Sequence, residues 1–361
     1  MDQGCGDQCA GGPAGRMVEL KDAVGLVLAH DITEIVPGRS KGPAYRKGHV
    51  VGPEDLDHLA RLGKNHLYVL EMAENQMHEN QAAELMAEAL CGPGVVPAGP
   101  PSEGKINLMA ACDGLLAIDV DRLVEFNLVP EVMCATIHRH SPVKAGHLVG
   151  GTRAIPLLPE RQNIQRAVQV AERDGGLLRV LTMPARRVGL VVTGNEVASG
   201  LIQDRFAPIV TEKVRDLGSS ILDTRVCPDD RFTVATAIKD LLAAGAELII
   251  TTAGMSVDPD DVTRMAIADA GGQDLLYGTP VLPGAMFLVG KLAGPHGLVP
   301  VLGVPACALF HQATVLDVVL PRVLAGQEFT RRDIAELAHG GFCQNCPTGC
   351  RFPVCGFGRG S

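Results

Sequence analysis

The sequence predicts an α/β protein: a three-layer, mostly parallel sheet over residues 185–326, smaller α+β units before it, and a cysteine-rich tail after it. Three observations carry that prediction. First, Val188 to Val192 is a continuous apolar run that breaks abruptly into Thr193-Gly194-Asn195-Glu196, as a strand buried on both faces does where it leaves its sheet. Second, similar runs recur after intervening stretches with helical periodicity, and strands separated by about 10–15-residue helices imply right-handed crossovers between parallel strands. Third, Cys343, Cys346, Cys350 and Cys355 crowd together near the carboxyl end.

Composition narrows the function. With 361 residues and 46% hydrophobic content, the chain can bury about two or three domain cores. A formal charge of −9 argues against a surface that tracks nucleic-acid phosphates. No Trp, 3 Tyr and 9 Phe leave little for stacking single-stranded bases. No apolar run approaches the roughly 20 residues of a membrane helix. The stretch from Met1 to Arg16 is Gly-rich and polar, unlike a secretory signal. A cytoplasmic location is expected. There, 11 cysteines point to metal rather than to disulfides.

Residues 1–16, with Cys5 and Cys9, read as a disordered tail, or as thiols that join a metal site elsewhere. Residues 17–91 form an N-terminal unit. Leu26 to Leu28 is a strand, and Pro37, Gly38, Gly42 and Pro43 mark loops. Pro53-Glu54-Asp55 opens a helix that carries Leu56, Leu59 and Leu62 on one face and ends at Gly63. Leu67 to Leu70 is a strand and Gln76 to Leu90 a helix. The basic loop of Arg39, Lys41, Arg46, Lys47 and His49 is a solvated surface or faces an anion. Gly92 to Pro101 holds four prolines and three glycines and reads as a linker. Residues 102–184 form a second α/β unit: Leu115 to Ile118 a strand, Asp121 to Phe126 a short helix, Glu160 to Asp174 a helix, Leu177 to Thr182 a strand. His138 and His140 would share one face of a strand near His147 and can bind metal; single surface histidines explain them as well.

Residues 185–326 alternate cleanly. Phe206, Ile209, Val210, Val214 and Leu217 give a helical stripe ended by Gly218. Ile221 to Val226 is a strand, and Val234, Ile238, Leu241 and Leu242 mark the next helix. Glu247 to Thr252 is a strand, Val262 to Ala270 a helix, Leu298 to Val304 a strand and Phe310 to Leu324 a helix. Four strand-following loops then converge on the carboxyl edge, where open α/β sheets bind ligands. They are Thr193-Gly194-Asn195-Glu196, Cys227-Pro228-Asp229-Asp230, Thr252-Ala253-Gly254-Met255-Ser256 with Asp258, Asp260 and Asp261, and Gly303-Val304-Pro305. Small residues let backbone amides approach an anion, and the Ser256 loop opens a helix, so a phosphate fits. Glu196, Asp230 and Asp261 would repel that phosphate unless a divalent cation lay between, and oxygen ligands with spare water positions suit Mg²⁺. The same acids also stand where helix caps belong.

These loops resemble molybdenum-cofactor biosynthesis domains of the MoaB, Mog and MoeA kind. Thr193-Gly194-Asn195-Glu196 with Gly200 to Asp204 is similar to their T-G-[DN]-E…G-x-I-x-D signature. Asp229-Asp230, Thr252 to Thr263 and Gly303-Val304-Pro305 are similar to V-x-D-D, T-G-G-x-S-x-G-x-x-D-x-T and G-x-P elements in the same order. Ala23 to Asp31 and Gly48 to Gly63 resemble a shortened N-terminal region of the molybdopterin molybdenumtransferases, the MoeA and gephyrin group. Ala253 replaces a Gly, Arg205-Phe206 stands where small or Asn residues are usual, Leu302 stands where many members have Pro, and no S-A-M-D-G-Y-A element is present.

The resemblance implies a molybdopterin ligand held by Thr193, Gly194, Asn195, Asp204, Thr252, Gly254, Met255, Ser256, Gly303 and Pro305. Glu196, Asp230 and Asp261 would hold Mg²⁺ or molybdate during molybdate insertion. It also implies a homodimer. The rival expectations are a carrier, insertion chaperone or sensor of molybdopterin that contacts a molybdoenzyme, and a nucleotide-handling enzyme using the same loops.

The tail, residues 327–361, carries Cys343-x2-Cys346-x3-Cys350-x4-Cys355. Four thiolates this close need a cation. Zinc accepts four sulfurs but usually takes them from two separate knuckles. A single compact run is nearer to iron–sulfur ligation. Phe342, Phe352 and Phe357 would shield such a cluster.

Overall fold

The computed structural model describes residues 16–36, 40–255 and 262–359. Its contacts divide the chain into two compact units, each assembled from separate stretches of sequence. Of the described residues, one takes those up to 109 together with 121–136 and 148–178; the other takes 110–120, 137–147 and those from 179 onward.

In the first unit, Arg16–Glu19, His66–Leu70 and Val27–Leu28 pair antiparallel, and Ile32–Val36 with Ser40–Tyr45 forms a hairpin. Leu28, Leu59, Leu67 and Val69 fill the core beneath the helix Leu56–Arg61. A four-stranded sheet follows, in the order Val95–Pro97, Lys105–Ala110, Leu148–Ala154, Val132–Thr136. The helices Glu79–Leu90 and Arg161–Glu172 bury Met86, Leu90, Ile164 and Ala167. The stretch Gly92 to Pro101, expected as a linker, thus contributes a strand. Its Val95 is buried, and its proline stands at the strand end, where no ladder donor is lost. His138 and His140 do not lie on a strand, because the strand stops at Thr136 and His140 occupies a left-handed turn at φ 60°.

The second unit is built on six strands, here β1 (Arg187–Thr193), β2 (Ser220–Cys227), β3 (Leu248–Thr252), β4 (Gly272–Tyr277), β5 (Leu288–Gly294) and β6 (Gly297–Val304). Their spatial order is β2-β1-β3-β6-β5-β4. The first four are parallel, and β5 and β4 extend the sheet antiparallel.

The helices are α1 (Asn195–Ala198), α2 (Phe206–Asp216), α3 (Arg231–Ala243), α4 (Thr263–Asp269), α5 (Val315–Leu324) and α6 (Arg331–Glu336). Alternate residues of the central strands face opposite layers. Val188, Leu190, Val192, Leu248 and Ile250 join Phe206, Val210, Val214 and the α5 residues in one core. Val191, Ile249 and Val301 join the α3 and α4 residues in the other. That is the expected three-layer, mostly parallel arrangement.

Two expectations needed correction. The edge strand β4 and its neighbour β5 escaped the apolar-run criterion, since strands that pair antiparallel tolerate Gly290, Lys291 and Asp274. The helix expected from Phe310 begins only at Val315. Thr314 starts it with a capping box: Thr314 Oγ1 accepts from Leu316 N–H at 3.3 Å, and Asp317 Oδ2 accepts from Thr314 N–H at 2.7 Å.

Candidate functional site

The ends of β1, β2, β3 and β6 lie in register, with Thr193 opposite Cys227, Val192 opposite Thr252 and Thr252 opposite Val304. The loops that leave these ends are therefore neighbours, and hydrogen bonds lace them together. Gly194 N–H donates to Cys227 O at 3.1 Å and Ala253 N–H to Val304 O at 3.0 Å. Asn195 and Asp229 exchange bonds, each backbone N–H donating to the other's side-chain oxygen at 3.0 Å. Thr193 Oγ1 donates to Thr252 O at 2.9 Å and lies 3.3 Å from Thr263 Oγ1.

The turn after β3 is the tightest element of this edge. Ala253 has φ 62° and Gly254 φ 60°. A Cβ on Gly254 would stand 2.2 Å from Thr263 Oγ1 and 3.2 Å from Thr193 Oγ1, so only bare backbone fits. Thr252 Oγ1 is buried and has no hydrogen-bond partner among the described residues. Gly303 lets Met255 pack against the strand, since a Cβ there would meet Met255 Cε at 2.5 Å. Met255, expected beside the ligand, is thus turned into the core, and its carbonyl accepts from Tyr277 Oη at 2.6 Å. Pro305, half-buried, follows β6 at the same edge.

The acids divide by role. Asp230 caps α3, with Oδ1 accepting from Thr233 N–H at 2.8 Å and from Thr233 Oγ1 at 2.6 Å. Those bonds hold its carboxyl below the ordinary range, so it is ionised at neutral pH. Asp204 accepts from the N–H groups of Phe206 at 2.7 Å and Ala207 at 3.3 Å, fixing the entry to α2. Glu196 is exposed on α1 beside Gly194. Ser256, Asp258, Asp260 and Asp261 lie outside the described residues. Asp229 and Thr263 were not singled out from the sequence as site residues. Both stood within the quoted motifs, which was the available signal.

The tail was expected to gather four thiolates on a metal. Cys343, Cys346 and Cys355 are half-buried, and Cys350 is exposed. All four line one cavity of about 240 Å³, together with Phe352 and Phe357. Among the described residues, however, no three His, Cys, Asp or Glu side chains are grouped closely enough to hold a single metal ion. Phe342, expected as a shield, is exposed. A larger cavity of about 600 Å³ lies toward the opposite, amino edge of the sheet, between Arg186, Leu298, Lys291 and Gln327.

Comparison with known proteins finds matches over parts of the chain. Residues 189–325 match the family described as a probable molybdopterin binding domain, and residues 17–71 match a domain of unknown function (DUF8806). A CinA-like protein of Mycobacterium sp. (strain MCS) is 33% identical over 93 residues, which is 26% of this chain and 22% of that protein. One from Mycobacterium avium (strain 104) is 30% identical over 95 residues, 26% of this chain and 22% of that protein. The match therefore spans about a fifth of the length of these curated relatives.

Among solved structures, the tungsten cofactor synthesizing protein MoaB from Pyrococcus furiosus aligns at 17% identity and TM-score 0.31, over 38% of this chain and 92% of that one. The molybdopterin biosynthesis Mog protein from Mycobacterium ulcerans aligns at 23% identity and TM-score 0.32, over 39% of this chain and 99% of that one. The family match over residues 189–325 supports a molybdopterin-binding domain there.

Proposed function

We propose that this domain holds molybdopterin or its adenylylated form at the carboxyl edge of the sheet and assists Mg²⁺-dependent insertion of molybdate late in cofactor biosynthesis. The observation that supports the reading is the lacing of four separate loops into one rim. The bare-backbone turn at Gly254 fits a phosphorylated ligand that takes amide donors. Thr193, Gly194, Asn195, Gly303 and Pro305 lie at the same edge, Asp204 fixes the loop beside it, and Ser256 is assigned to the ligand from the sequence motif. Glu196, Asp230 and Asp261 supply the hard oxygen donors that Mg²⁺ prefers. The cation, when bound, neutralises phosphate charge and polarises the leaving group.

Under this reading the protein works in the cytoplasm as a homodimer on a small pterin, without nucleic acid or membrane. The tail cysteines hold an iron–sulfur cluster or Zn²⁺.

A second reading is a carrier, insertion chaperone or sensor that binds molybdopterin without turnover and hands it to a molybdo- or tungstoenzyme. It draws support from the engagement of Asp229 and Asp230 in loop pairing and capping, which leaves fewer acids free for chemistry.

Molybdate-dependent turnover of adenylylated molybdopterin separates the two. The expected result is turnover that Asp261→Ala abolishes while pterin affinity persists. An unchanged rate in that variant rejects the role of Asp261. Binding without any turnover selects the carrier, and failure to bind any form of the pterin rejects both readings.

A further inference from the structure

We propose that the four tail cysteines hold an iron–sulfur cluster rather than a single zinc ion. The inference rests on the reading of the tail as a metal site and is independent of the pterin reading.

The argument starts from how the tail is anchored. Cys343 N–H donates to Leu282 O at 2.8 Å and Gly358 N–H to Gly340 O at 2.9 Å, so both ends of the segment are fixed. Between them, Gly349 N–H bonds Cys346 O at 3.2 Å, and Cys355 N–H bonds Arg351 O at 3.3 Å. These turns bring four cysteines that are separated by spacings of two, three and four residues around a common cavity of about 240 Å³.

Size then discriminates between the two metals. A single zinc ion requires every sulfur at about 2.3 Å from one point. The four cysteines border a cavity of about 240 Å³ that is larger than a single ion. An inorganic core that brings its own sulfide would occupy such a cavity and offer a separate iron to each thiolate.

The walls suit that core. Phe352 and Phe357 pack edge to face with centroids 6.1 Å apart, and Cys343, Cys355 and Phe352 pack against the buried core of the sheet. Apolar walls keep water from the metal–sulfide bonds. No carboxylate is among the lining residues, and Arg351 is the permanently charged side chain there, so the wall offsets the negative charge of four thiolates on a cluster. Each thiol releases its proton as its S–Fe bond forms. A core assembled from ferrous and ferric iron with inorganic sulfide needs no further oxidant. Phe310 and Ala313, which also line the cavity, lie on the segment that leaves Pro305, so the cavity adjoins the loop edge of the sheet.

The test uses the full-length chain, purified without oxygen and, separately, reconstituted with iron and sulfide. Iron, zinc and acid-labile sulfide are then measured. The expected result is iron and labile sulfide in equal amounts, with visible absorbance bleached by dithionite. Cys350→Ser, which removes one of the four ligands, should lower both, whereas Cys112→Ser, outside the cavity lining, should keep both. Stoichiometric zinc without labile sulfide overturns the proposal. So does iron without sulfide, the absence of any bound metal, or retention of both elements when all four tail cysteines are replaced by Ser. Pterin titration of the same preparations keeps a failed pterin reading distinct from a failed cluster.

Discussion

Ala253 and Gly254 occupy successive left-handed positions at the turn after β3. An L-residue pays roughly 1–2 kcal/mol for that conformation, and glycine pays little. Ala253→Gly should therefore stabilise the protein by up to about 1 kcal/mol, after the greater freedom of glycine in the unfolded chain is set against it. Gly254→Ala should act oppositely. Its Cβ would collide with Thr263 Oγ1, open the turn and weaken pterin binding by at least about tenfold, an effect of about 1.4 kcal/mol in binding free energy. Denaturant titrations and a pterin titration check the pair. A destabilised Ala253→Gly, or a Gly254→Ala variant with full affinity, would refute this account of the turn. The sequence revealed that Ala253 departs from a glycine pattern. It did not reveal that the position needs positive φ, because φ is set by the bonds to Val304 and Thr263 across the turn.

At the scale of elements, α5 depends on one carboxylate with two partners. Asp317 accepts from Thr314 N–H to close the capping box, and it pairs with Lys213 on α2. Lys213 Nζ also donates to Gln312 O at 2.8 Å, and its side chain is only 17% exposed. Asp317→Ala removes the cap bond and strands a largely buried ammonium, a loss on the order of 3 kcal/mol. Urea unfolding measures it, and a change below about 0.5 kcal/mol would show that the pair contributes no more than an exposed one. The apolar stripe made α5 legible, and the Thr314-x-x-Asp317 signal for its start was present but passed over for Phe310. The β4–β5 extension was less legible, since its stability comes from antiparallel pairing along β6 rather than from a local apolar run.

At the scale of the whole molecule, distant segments determine the state of His140. Burial pushes its pKa down from 6.5 to about 3; Arg322 and Arg139 add to the shift, and Asp333 opposes it. Its Nε2 lies 3.5 Å from Gln327 Nε2. The fold accepts the neutral ring, so the stability this residue contributes is complete above about pH 6.5 and is lost as pH falls toward 3. Denaturation midpoints should drop between pH 7 and pH 4, and His140→Asn, which tolerates the left-handed backbone, should flatten that slope. Parallel pH profiles for the two proteins would refute the assignment. The sequence offered His138, His140 and His147 as a metal-binding group or as surface residues. Neither reading anticipated a half-buried, neutral ring, because most of the groups that act on it, Arg322 and Asp333, come from a distant segment.

The sequence by itself determined the order of strands and binding loops in residues 185–326. A strand buried on both faces must be an apolar run, and its exit at the sheet edge must switch to small and polar residues, so both signals are local. Tertiary structure decided which loops meet. That outcome follows from the strand order and from bonds such as Thr193 to Thr252, 59 residues apart. It also decided which aspartate caps a helix and which ties two loops together, and that four cysteines border one cavity instead of one point. Those outcomes depend on distances between side chains from separate segments, and no spacing along the chain encodes them.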